Sequence, residues 1–73
     1  GYMVNTPKNL TEREKQILVL VSQGLTNKEI AQSVSITTRT VEFHLGNLFR
    51  KLDVSSRMTV VIMAEKLGLL DTK

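Results

Sequence analysis

TTRTVEFHLGNLFRKL, from Thr37 to Leu52, is the stretch on which the fold turns. Wound as an α-helix, it separates two chemistries. Val41, Leu45, Leu48 and Leu52 recur at spacings of four, three and four, which stacks them in one apolar stripe. At about 100° per residue, Arg39, Phe43, Gly46, Asn47 and Arg50 fall on the opposite side. A face that meets only water more often carries Glu and Lys in paired spacing. Two arginines, an amide, an aromatic and a glycine make instead a surface suited to touching a partner. Thr37 supplies a hydroxyl N-cap of the preferred type.

Immediately upstream lies a shorter helix. Thr26 caps it, and Glu29 three residues later completes a capping box. Ile30 and Ala31 are expected to point inward, with Val34 closing the helix one turn on and Ile36 plugging the core from the turn. Ala31 is small enough to let two helices approach closely, as a tight corner requires. A short helix, a tight turn and a longer helix make a helix-turn-helix, whose second helix can enter the major groove of DNA. Apolar residues at Ala31, Ile36, Val41 and Leu45 fit that corner, although a three-helix bundle with short loops would show them as well.

Two further helices flank this pair. Thr11 with Glu14 forms another capping box, and Glu12 and Glu14 suit the positive end of a helix dipole. This first helix should run to about Gln23, burying Ile17, Leu18, Leu20 and Val21, with Leu10 stapled ahead of it and Gly24 as a left-handed stop. At the other end, Ser55 or Ser56 caps a fourth helix that reaches about Leu67 before Gly68, with Val54 returning to the core ahead of it. Val60, Met63, Ala64 and Leu67 make one face of it. Met58, Val61 and Ile62, with Glu65 beside them, make a second apolar side that the domain itself does not need. Residues 1–9 show no sustained period, contain the only proline and read as a linker or an expression remnant; the domain is expected to span residues 10–70. The expected fold class is all-α, four helices containing a helix-turn-helix.

Composition bounds what such a domain can do. A chain of 73 residues holds one small domain whose core is marginal without help. With no cysteine and one histidine, neither a disulfide nor a zinc site supplies that help, so a second copy of the chain is the remaining source of buried surface. No apolar run approaches the roughly 20 residues needed to cross a bilayer, and no secretory signal pattern is present, so the expected location is cytoplasmic and no membrane partner is expected. A net charge of +3 leans modestly toward polyanions. No cofactor is expected. His44 has no acid or nucleophile spaced to serve it, and reads as a phosphate contact or packing residue; an enzyme is not expected.

Four blocks of sequence narrow the reading. Leu10-Thr11-x-Arg13-Glu14, Gly24-Leu25-Thr26-Asn27-Lys28-Glu29-Ile30-Ala31, Thr40-Val41-Glu42-Phe43-His44 and Lys51-Leu52-x-Val54-x-x-Arg57 together resemble the LuxR-type (GerE-like) DNA-binding domain, in order and spacing. The resemblance covers residues 10 to about 68. It implies the C-terminal effector domain of a bacterial transcription regulator, one that usually follows a receiver or small-molecule-sensing domain. It further implies a third helix in the major groove and a two-fold dimer contact through the fourth. Two positions depart from the family: where base-contacting Lys or Arg is frequent, this chain has Glu42 and Gly46.

The expected site follows from these readings. Arg39, Phe43 and Asn47 are expected at base edges, Arg on guanine, Asn on adenine and Phe on a thymine methyl, with Glu42 accepting from a cytosine amine. Lys28, Arg50 and Lys51 are expected on phosphates, aided by Thr26 and Asn27 at the start of the second helix and by Thr38 and Thr40 at the start of the third. Arg57 and Lys51 are each open to an intradomain salt bridge instead. Met58, Val61, Ile62 and Glu65 are the expected dimer contact, weak alone and strengthened by DNA, binding an inverted repeat. RNA polymerase is a further candidate partner. The alternative function is a helix-turn-helix used for protein contact in a transcription assembly.

Overall fold

The start of every helix is written within four residues of sequence. The computed structural model describes residues 10–66 and 68, and among them it places α1 at Glu12–Ser22, α2 at Asn27–Val34, α3 at Thr38–Leu52 and α4 at Arg57–Lys66. Thr11 and Thr26 close the expected capping boxes, each hydroxyl accepting from the amide of a Glu whose carboxylate accepts from the cap's own amide. The Thr37 hydroxyl accepts from the Thr40 amide at 3.1 Å. At α4 the cap is Ser56 rather than Ser55: its hydroxyl accepts from the Thr59 amide, and the Thr59 hydroxyl accepts from the Ser56 amide in return. Each box satisfies amides that a helix start would otherwise leave orphaned.

The helix ends share a device as well. Gly24, Ser35 and Asp53 all take the left-handed conformation, with φ of +88°, +60° and +57°. In each case the next residue donates its amide to the carbonyl five residues back: Leu25 to Leu20, Ile36 to Ala31 and Val54 to Phe49. This is the Schellman closure, in which an apolar residue after the turn folds back onto its own helix. Leu25, Ile36 and Val54 are accordingly half-buried against the core. Ile36 thus packs against the core from the turn, half-buried rather than buried. Glycine takes this conformation without penalty; Ser35 and Asp53 take it at a cost of about 1 kcal/mol each.

The core gathers one face from each helix. Leu10, Ile17, Leu18 and Val21 meet Ile30 and Ala31, the full α3 stripe of Val41, Leu45, Leu48 and Leu52, and Val60 and Ala64 of α4. α1 packs against α3 and α4, and α2 packs against α3, which leaves α3 central with its opposite side outward. Leu20 is half-buried rather than buried. On α4, Val61 and Met63 pack partly against the core, so Val61 does not belong wholly to a spare outward side. Leu67 and residues 1–9, which carry the expected end of α4 and the linker, lie outside the described residues. No helix among those described is long and apolar enough to cross a membrane.

Candidate nucleic-acid interface

The outward side of α3 carries the side chains that periodicity placed there. Arg39, Glu42 and Arg50 are exposed, and Phe43 is 65% exposed, a large aromatic left in water. Burying it inward would have required giving up a position in the leucine stripe. Among the described residues its ring meets one other, that of the half-buried His44, edge-on at a centroid distance of 5.6 Å. The His44 Nδ1 is buried without a hydrogen-bond partner among the described residues. Asn47 is half-buried, and its Oδ1 accepts from the Arg50 guanidinium one turn later. Thr38 is exposed, and Thr40 is half-buried with its hydroxyl 3.0 Å from that of Thr37.

Gly46 lies between these residues in mid-helix, where glycine costs roughly 0.5–1 kcal/mol relative to alanine. Nothing inside the domain requires it. A Cβ built there would meet only the tip of Arg50, at 4.0 Å. The space beside Gly46 is otherwise open.

The first turn of α2 is the other part of the expected site. Thr26 and Lys28 are exposed, with the Thr26 hydroxyl engaged in its cap. Asn27 is half-buried, and its Oδ1 accepts from the Arg57 guanidinium at 2.8 Å. Among the described residues, Lys28 and Arg39 make no hydrogen bond or ion pair within the domain. Other cations are committed. Arg13 donates to the Val34 carbonyl, Arg57 to Asn27 and the Leu25 carbonyl, and Lys15 pairs with Glu12.

Lys51 was open to a phosphate contact or to an intradomain salt bridge, and in the free domain it makes the salt bridge. Its ammonium lies 2.7 Å from Glu14 Oε1, with side chains 24% and 3% exposed, so it ties the end of α3 to the start of α1. Sequence spacing gave no sign of this pair, whose members stand 37 residues apart. Burial alone would push the Glu14 carboxyl upward. The hydrogen bonds from Lys51 and the Thr11 amide, with the positive fields of Lys51 and His44, outweigh it and hold the group below its ordinary value.

On α4, Met58 and Ile62 are 72% and 45% exposed, and Glu65 is exposed beside them. With Val21, Arg57 and Val61, Met58 and Ile62 line an open, largely apolar depression on the surface. Among the described residues no group of three or more His, Cys, Asp or Glu side chains is placed to hold a metal ion.

Comparison with known proteins gives this arrangement a context. The chain is 48% identical over 61 residues to the transcriptional activator protein AnoR of Acinetobacter nosocomialis, covering 84% of this chain and 26% of that protein. It is 44% identical over 59 residues to the transcriptional regulatory protein LiaR of Bacillus subtilis, covering 81% and 28% respectively. The chain therefore spans little more than a quarter of the length of these relatives. The structure of the transcription factor GerE superposes with a TM-score of 0.79 at 34% identity, over 85% of this chain and 92% of that one. The response regulator ChrA of a heme-sensing two-component system superposes with a TM-score of 0.83 at 33% identity, over 86% of this chain and 31% of that one. AnoR, LiaR and GerE are transcription regulators, not enzymes. A family profile described as bacterial regulatory proteins, luxR family, matches residues 8–64, and the chain, a LuxR-type helix-turn-helix domain, belongs to that family.

Proposed function

We propose that this domain, residues 10–70 following a linker at 1–9, binds double-stranded DNA sequence-specifically as the C-terminal effector part of a bacterial transcription regulator in the cytoplasm. The observation that carries the reading is the outward side of α3: an exposed Phe43, an Arg39 side chain with no partner among the described residues, and a Gly46 that no contact among them requires. In this reading α3 lies in the major groove. Arg39, Phe43 and Asn47 meet base edges, and Glu42 accepts from a cytosine amine. Lys28 and Arg50 neutralise phosphates, with Thr26, Asn27, Thr38 and Thr40 bonding beside them. Lys51 already shares its charge with Glu14, so the phosphate contacts counted here are Lys28 and Arg50.

Two copies bind an inverted repeat through Met58, Ile62 and Glu65, with the outer edge of Val61. With two phosphate-neutralising cations per protomer, the logarithm of affinity should fall against the logarithm of salt with a slope of roughly −4. Lys28→Ala should flatten that slope by about 2 while weakening all sequences alike. Ile62→Glu places like charges across the two-fold axis. It should leave helicity and half-site binding intact and abolish cooperative binding to the inverted repeat. Affinity independent of salt would favour a protein-binding helix-turn-helix, with RNA polymerase among the candidate partners.

A further inference from the structure

Arg57 opens α4, yet its side chain works at the other end of the fold. One guanidinium nitrogen donates to Asn27 Oδ1 at 2.8 Å and the other to the Leu25 carbonyl at 2.6 Å. The two acceptors bracket Thr26, the N-cap of α2. The fork therefore grips the start of this helix from both sides of its cap.

The chemistry of the fork decides the orientation of the amide. A carboxamide has one accepting end and one donating end, and on its own can present either to solvent. A guanidinium has donors only. Beside Arg57 the Asn27 side chain must turn its oxygen inward, which directs the NH2 group away. That nitrogen has no hydrogen-bond partner among the described residues and is not buried. It is thus a donor held at a helix N-terminus, where the helix dipole favours an anion, beside the exposed Lys28. The reverse orientation would face an incoming phosphate with a carbonyl oxygen.

We propose that Arg57 is a positioning residue for DNA binding: it fixes the Asn27 carboxamide so that the first turn of α2 presents a hydrogen-bond donor to a backbone phosphate. Arg57 touches no DNA in this arrangement. The inference rests on the DNA-binding reading and adds to it a role for a residue of α4.

A double-mutant cycle on the 73-residue chain tests it, using a single half-site duplex recovered by selection from a random pool. Asn27→Ala should weaken binding by about tenfold, the worth of one hydrogen bond to a charged group. Arg57→Met should weaken it by a similar factor in the parent chain. In the Asn27→Ala background the same change should cost less than about threefold, because the amide it orients is gone. Arg57→Gln is the second variant, should losing the hydrogen bond to the Leu25 carbonyl impair folding. Its amide can still donate to the Leu25 carbonyl but no longer dictates which end of Asn27 faces it, so it should show the same non-additive loss with little change in melting temperature. Equal losses with and without the Asn27 amide would overturn the proposal, since Arg57 would then act only by steadying α2. If the parent chain shows no salt-dependent binding to any selected duplex, the DNA reading itself fails, and this result is read before any variant is compared.

Discussion

α3 and α4 pack against the same first helix, but they divide their side chains differently. On α3 the buried residues are Val41, Leu45, Leu48 and Leu52, and the outward ones include Arg39, Glu42 and Phe43. On α4, Val60 and Ala64 are buried while Met58 and Ile62, equally apolar, face outward. Hydrophobicity therefore announces orientation on α3 and fails to on α4, where packing alone decides it. An outward face that could as well have been core is one that a partner can cover at little cost in desolvation.

Leu48→Ala is the substitution that should separate the two helices most. Leu48 is fully buried, and its truncation should cost about 3–4 kcal/mol in urea unfolding. Ile62→Ala should cost under about 1 kcal/mol at low protein concentration. Comparable losses would mean that the outward side of α4 is already covered in the free chain, and the contrast would collapse.

A second difference is electrostatic. The end of α3 is tied to α1 by the Glu14–Lys51 pair, whereas the buried residues of α4 are apolar. Glu14→Gln should cost about 2 kcal/mol, because it leaves the half-buried Lys51 ammonium short of its carboxylate. The Glu14 carboxyl is held below its ordinary value of 4.5, so its contribution is fully present above that pH and is lost as pH falls through the lower folded value. The parent chain should therefore lose stability below about pH 4.5 more steeply than Glu14→Gln, as thermal melts across pH 3–6 would show.

Gly46→Ala has the smallest expected effect on the fold. It should stabilise the free domain by roughly 0.5–1 kcal/mol while weakening DNA binding. Stabilisation with unchanged affinity would mean that no DNA backbone approaches α3 at this point.

How much could be read in advance follows the same division. The α3 stripe was visible because its apolar residues keep a helical period and the residues between them do not. The capping boxes at Thr11 and Thr26 were visible because both partners lie within one turn. Gly24 announced its turn by being glycine. Asp53, in the same backbone conformation, did not, since aspartate takes a positive φ more readily than most residues but still only occasionally. The Lys51–Glu14 pair and the grip of Arg57 on Asn27 join residues 37 and 30 positions apart, and only the packing of helices brings them together. The half-buried state of Val61 was hidden by its neighbours, since a run of consecutive apolar residues offers no period from which to choose.

The cap bonds at the four helix starts also bear on the speed of folding. Thr11 with Glu14, Thr26 with Glu29, Thr37 with Thr40 and Ser56 with Thr59 are each complete within four residues. A chain with such starts knows where its helices begin before any two of them meet. What is left to search is the docking of four short rods joined by brief turns, a problem that helical domains solve in about microseconds to milliseconds. After any excursion to the unfolded state, the outward side of α3 is thus restored well within the seconds over which a tightly bound partner dissociates.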